Sequence, residues 1–155
     1  MNKKFLVDIP IAWEYVRSVR DQVNEMLADY PEELRSASAM VASELVENAI
    51  KYGVSVPNLT WARVSFEMTP NAVRIEVSNG LTDATVFAAL KLRIDEMREE
   101  GAGERRYLER LQELIDDPLP PNRLGLYRIS FEGRFSLDCA YENQVLTVKA
   151  HRQVL

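Results

Sequence analysis

Apolar residues recur along this chain with two different periods, and the switches between them outline its elements. Phe5-Leu6-Val7 is a short apolar run that reads as an edge strand. Asp8 followed by Pro10 has the form of a helix start, a capping side chain with proline in the first turn. Trp13, Val16, Val19, Val23 and Leu27 then recur every three or four residues, which predicts an amphipathic helix. Tyr30-Pro31 interrupts it, and a second helix is expected from about Glu32 to Tyr52, with Gly53 as a left-handed C-terminal cap. Val56-Pro57-Asn58 reads as a loop.

Period two follows. Ala62, Val64, Phe66 and Met68 alternate with polar neighbours, Thr69-Pro70-Asn71 turns, and Val73, Ile75 and Val77 alternate on the return. The hairpin is expected to end in a polar tip, Ser78-Asn79-Gly80, where glycine supplies flexibility. Helical spacing returns from Thr82 to about Asp117: first Phe87, Leu90, Ile94 and Met97, then, after Gly101-Ala102-Gly103, Tyr107, Leu108, Leu111, Leu114 and Ile115. Prolines 118, 120 and 121 close this excursion, which reads as a lid, an interaction arm or padding. A short helix starts at Leu124-Gly125-Leu126. Phe135, Leu137, Cys139 and Tyr141 alternate, Glu142-Asn143 turns, and Leu146, Val148 and Ala150 alternate back. Hairpins separated by helices argue for an α+β fold, a two-layer sandwich in which helices cover one face of a mixed, mostly antiparallel sheet.

Within the second predicted helix, a turn of about 100° per residue sets Val41, Leu45, Asn48, Ala49 and Tyr52 on one side, with Glu44 at its edge. A carboxylate and an amide one turn apart, both pressed toward a core, are the first candidates for chemistry. Read from the residues alone, they are a solvated helix edge and a hydrogen-bonded core asparagine. By the same bland reading, Ser78-Asn79-Gly80 is a strand-ending turn and Leu124-Gly125-Leu126 a close packing point. The run from Glu99 to Arg110 is then a solvated face, with Arg105-Arg106 a candidate partner site.

Composition narrows the classes further. The 155 residues are expected to form one domain able to bury a core, and 46% hydrophobic with 28% charged residues is ordinary for a soluble globular protein. Nineteen basic against 24 acidic residues give a net charge of −5, which argues against nucleic acid or an anionic membrane as partner. The single cysteine, Cys139, cannot form an internal disulfide and alternates with Phe135 and Leu137, so it reads as a buried apolar residue in a reducing compartment. The single histidine, His151, argues against a cysteine/histidine metal site. No apolar run approaches the roughly 20 residues of a membrane span, and no signal peptide is evident, so a cytoplasmic location is expected.

The stretch Glu44-Leu-Val-Glu-Asn48-Ala-Ile-Lys51-Tyr52 resembles the N box of the GHKL ATPase superfamily, which includes histidine kinase catalytic domains. The spacing of glutamate and asparagine is similar to that of anti-sigma-factor serine kinases. By element order the resemblance runs from about Pro10 to the end, with Ser78-Asn79-Gly80 at the family's Asp-x-Gly box and Leu124-Gly125-Leu126 at its second glycine box. It implies a Bergerat-like sandwich with a helical insertion at about 82–120 in the lid region, binding ATP and Mg²⁺. Carried over by position, Glu44 is the base that activates the attacking hydroxyl or water and Asn48 the Mg²⁺ ligand, with Lys51 near the phosphates. Ser78, Asn79, Gly80, Arg123 and Gly125 complete the nucleotide site.

Two departures bear on activity. The aspartate that accepts from the adenine amino group is matched to Ser78; a hydrogen bond to a charged acceptor is worth roughly 1.5–3 kcal/mol, about 10- to 100-fold in affinity. The second glycine box reads Pro121-Asn122-Arg123-Leu124-Gly125-Leu126, where Pro121 removes an amide and Arg123 offers itself as a phosphate donor. Two functions follow from the resemblance. One is a signalling regulator that holds a protein partner (a STAS-type anti-sigma antagonist, a sigma factor or another signalling component) with ATP binding weakened or lost. The other is an active ATP-dependent serine kinase. A homodimer is compatible with both.

Overall fold

A computed structural model describes residues 2–98 and 122–154. The second half of the expected helical insertion, from Tyr107 to Ile115 with Arg105-Arg106 and the closing prolines, lies outside the described residues.

Among the described residues five strands form one sheet: β1 (Lys3–Ile9), β2 (Ala62–Met68), β3 (Ala72–Gly80), β4 (Ser136–Glu142) and β5 (Val145–Gln153), in the order β1-β2-β3-β5-β4. A mixed sheet was expected; each of the four pairings is antiparallel. Both hairpins close tightly. Thr69 Oγ1 accepts from the amides of Asn71 and Ala72 at 3.3 and 3.0 Å, holding the first turn. Asn143 and Gln144, with φ of 53° and 62°, are the two left-handed centres of the second, as a two-residue turn matched to strand twist requires.

Alternation sets the two faces apart. Ala62, Val64, Phe66 and Met68 on β2, Val73, Ile75 and Val77 on β3, and Leu146, Val148 and Ala150 on β5 are buried. Their neighbours Arg63, Arg74, Lys149 and Asp138 point to the open face. Helices α1 (Glu14–Met26), α2 (Glu32–Tyr52), α3 (Ala84–Met97) and α4 (Asn122–Tyr127), the last running into a π-helical turn at Arg128–Glu132, pack on the buried face. Among the described residues the buried apolar side chains join into one cluster, except Val56, Leu59 and Ala72.

Helix α2 is the central rod. Twelve of its 21 residues are buried, so it is enclosed on most sides rather than along one stripe. α1 packs on it through Val19, Val23 and Leu27, all 2% exposed or less, whereas Trp13 from the same sequence stripe is 61% exposed. Asp8 does not cap α1. It stays in β1, where its carboxylate accepts from Arg63 Nε at 2.8 Å across the ladder, and α1 begins at Glu14 without a capping side chain. Gly53 is also not a left-handed cap: it is extended (φ −71°, ψ 141°), and its missing side chain makes room for Ala49 O and the Cβ of Asn79.

Candidate functional site

The expected polar tip at Ser78-Asn79-Gly80 is instead the last part of β3. Gly80 bridges to Val54, and a Cβ there would run into the Val54 carbonyl, so glycine serves close approach of two backbones, not flexibility. Because the tip is strand, its residues alternate. Ser78 points to the open face, where its hydroxyl lies 2.7 Å from Thr147 Oγ1. Its side chain is thus on the face away from the helices. Asn79, 3% exposed, points the other way, toward the helices. Its amide nitrogen donates to Gly80 O at 2.9 Å, which leaves the side-chain oxygen for another donor.

Asn79 looks into a pocket of about 220 Å³ between the sheet, α2, α3 and α4. Asn48 and Tyr52 of α2 and Arg93 of α3 supply the other polar groups on its wall; Leu45, Val77, Leu90 and Leu146 make it apolar below. Few polar groups on an apolar cleft is the usual make-up of a small-molecule site, though the volume is under the roughly 300–1,000 Å³ typical of one. α3 is seated at this wall by Phe87, whose ring stacks on Tyr141 at 5.4 Å, and its start is capped by Asp83, which accepts from the Thr85 amide at 3.0 Å.

Glu44 does not share that pocket. Its carboxylate is buried on another side of α2, beside a groove of about 370 Å³ that also carries Arg20, Asn24, Ser43, Glu47 and Arg128. Arg128 Nη1 donates to Glu44 Oε1 at 2.7 Å, and Arg128 Nε donates to Glu132 Oε2 at 3.2 Å. Burial pushes the Glu44 carboxyl above its ordinary value of 4.5; the Glu47 and Glu132 charges add to the rise and the Arg128 guanidinium opposes it. A Cβ on Gly125 would collide with Glu44 Oε2, so α4 lies directly on this carboxylate. Leu126, the next residue of α4, lines the other pocket. One turn of α4 therefore stands between Glu44 and Asn48.

Of the remaining sequence candidates, Lys51 is exposed, with its ammonium 5.3 Å from the Tyr52 ring centroid. Arg123 belongs to the first turn of α4, and its side chain lies outside what is described. Asn48 and Asn79 thus converge on one pocket, Glu44 and Gly125 converge on a separate contact, and Gly80 packs on Val54 and Val56 outside both. The sequence reading missed two cations, Arg128 and Arg93. Each carried a signal: Arg128 follows Gly125 by three residues in a helical stretch, and Arg93 falls three residues after Leu90 on the apolar side of α3.

The donor set fits adenine nucleotide and Mg²⁺ only in part. Asn48 and Asn79 are amides lining one cavity, each with a carbonyl oxygen that accepts and an NH2 group that donates. Among the described residues no group of three or more acidic, histidine or cysteine side chains gathers to hold a metal, so an ion at Asn48 would depend on phosphate oxygens and water. The carboxylate expected as base faces elsewhere, against Arg128 and Gly125. No helix among the described residues is long and apolar enough to cross a membrane. The chain matches no protein-family model and no curated protein sequence.

Proposed function

We propose that this chain is a bacterial signalling regulator with a histidine-kinase-like, Bergerat-type ATPase fold, acting by binding a protein partner with ATP binding weakened or lost. The partner class that the N-box resemblance suggests is a STAS-type anti-sigma antagonist, a sigma factor or a comparable switch component. The observation that carries this reading is the capture of Glu44 by Arg128 and Gly125, away from the pocket that Asn48 lines. A base must reach the hydroxyl it deprotonates. The small pocket and the uncharged Asn79 support weak nucleotide affinity, because a neutral amide is a poorer acceptor than a carboxylate. Calorimetric titration of the full chain with Mg-ATP is expected to give no micromolar binding; a micromolar dissociation constant overturns the proposal.

A second reading, an ATP-dependent serine kinase with Glu44 as base and Asn48 holding Mg²⁺, draws on one observation: Asn48 and Asn79 line the same pocket. It requires labelled phosphate to pass from ATP to a serine-bearing partner and to stop passing in Glu44→Ala. Absence of transfer to every partner that binds the chain leaves the regulator reading standing.

A further inference from the structure

The two helices that wall the pocket do so with the same spacing. Leu45, Asn48, Ala49 and Tyr52 of α2 recur at i, i+3, i+4 and i+7, and so do Val86, Ala89, Leu90 and Arg93 of α3. Arg93 therefore ends the inward, otherwise apolar stripe of its helix, while Leu92 beside it is 62% exposed. Among the described residues the other half-buried arginines have acceptors: Arg35 reaches the Ala28 carbonyl, Arg128 reaches Glu44, and Arg152 reaches Glu33 and the Gly133 carbonyl. Arg93 has none there, and neither end of the Asn48 amide is bonded. Asn79, 3% exposed, spends its NH2 group on Gly80 O and has no donor for its Oδ1. Polar groups this far inside a protein are normally paired, so three with unused capacity around one apolar cavity point to a ligand that supplies the partners.

We propose that this pocket binds a small monocarboxylic acid whose apolar body carries one hydroxyl or N–H donor. Arg93 is the one charged side chain among the described residues of the wall, and no acidic residue joins it, so the site neutralises a single negative charge. Its planar fork matches a carboxylate through two parallel hydrogen bonds. Asn79 Oδ1 accepts only, which calls for a donor on the ligand, and the Asn48 amide can serve either end. Leu45, Val77, Leu90, Leu126, Leu146 and Val148 take the apolar body. A volume of about 220 Å³ equals roughly seven waters at ~30 Å³ each, room for one ring or a short chain with an acidic arm. A triphosphate is mismatched, because it brings several negative charges to a single lining cation. A ligand held by Arg93 at one end and Asn79 at the other ties α3 to β3, so its arrival changes how firmly α3 is seated. Nothing in this assignment depends on the partner class or on nucleotide binding.

Calorimetric titration of the full chain with para-hydroxyphenylacetate, indoleacetate and 3-hydroxyoctanoate, without nucleotide, tests the class. At least one is expected to bind with a dissociation constant on the order of 0.1–1 mM, as suits a ligand of about a dozen non-hydrogen atoms. The amide of that probe keeps its shape and loses its charge, and is expected to bind about tenfold more weakly or worse. Arg93→Gln is expected to weaken the acid by a similar factor and to leave the amide unchanged. Taking the hydroxyl or N–H off the probe while keeping its acid is expected to cost about 2- to 10-fold. Ala89→Trp, at an exposed position of the pocket wall, is expected to block entry, and a thermal melt confirms that both variants fold. Failure of all three probes to bind below about 5 mM overturns the proposal. So does an amide that binds as tightly as its acid, an acid indifferent to Arg93→Gln, to Ala89→Trp or to loss of its donor, or phenyl phosphate binding more tightly than the best carboxylate.

Discussion

The two sides of α2 differ although they begin from neighbouring residues. On one side Asn48 lines, with Asn79 and Arg93, a pocket of about 220 Å³. On the other, one turn back, Glu44 is pressed under Gly125 and tied to Arg128. Both residues lie one turn apart on the same helix, yet the short helix α4 laid across α2 gives them different surroundings. A motif fixes spacing along a helix. What each side chain faces is set by the segment laid over it.

The largest effect that tests this contrast is expected from Arg128→Ala. It leaves Glu44 buried with its main counter-charge removed. Losing one partner of a fully buried pair costs about 3–5 kcal/mol, and since Arg128 is 40% exposed we expect a discounted loss of about 1–3 kcal/mol at neutral pH by chemical denaturation. The pH dependence has a definite sign. The folded-state value of Glu44 lies above its ordinary 4.5, so its favourable contribution is complete below 4.5 and is lost as pH rises through the folded value. Removing Arg128 raises that folded value further. The destabilisation should therefore be greatest at neutral pH and above, and shrink as the solution is acidified toward 4.5.

The opposite side is tested by Asn79→Asp, which puts a carboxylate where the pocket meets β3 and gives up the amide's bond to Gly80 O. If that pocket is the worn nucleotide site, affinity for Mg-ATP should rise about tenfold, the value of exchanging a neutral acceptor for a charged one. Calorimetry measures it. An unchanged titration would mean that Asn79 is a packing residue and that the two sides of α2 differ less than their geometry suggests.

Glu44→Gln is expected to change stability by less than about 1 kcal/mol at neutral pH. The amide keeps the shape and an acceptor for Arg128 while removing the charge that burial disfavours. The stability profile above 4.5 should flatten, and nucleotide affinity should not move, since Glu44 does not line the pocket. An effect on binding equal to that of Asn79→Asp would erase the distinction between the two sides.

Much of the α+β layout was legible in the alternation of Ala62 to Met68, Val73 to Val77 and Leu146 to Ala150, because a sheet buried on one face writes its topology into period two. α2 was legible to within a residue or two at its ends. The failures share one cause. Asp8, Gly53 and Ser78-Asn79-Gly80 were assigned by local chemistry, as cap, left-handed cap and flexible tip, and each is overridden by a neighbour distant in sequence: Arg63 across the ladder, Asn79 beside Gly53, Val54 against Gly80. The Glu44–Arg128 contact spans 84 positions, and no periodicity reports such a distance.

The placing of Ser78 also supplies the mildest test. Counting motif positions aligned Ser78 with the nucleotide-binding aspartate, but a strand turns successive side chains to opposite faces, so a one-residue offset exchanges pocket for solvent. Ser78 lies on the open face, its hydroxyl bonded to Thr147, and Asn79 takes the inner position. Ser78→Ala should therefore cost only the cross-strand hydroxyl pair, about 0.2–1 kcal/mol in denaturant, and should leave the Mg-ATP titration of both wild type and Asn79→Asp unchanged. A binding change from Ser78→Ala would require β3 to sit one residue out of the observed register. In that register Arg63 opposes Ser78 and Thr147 opposes it from the other side, so the same change would have to break the Ser78–Thr147 bond and turn Val73, Ile75 and Val77 out of the core.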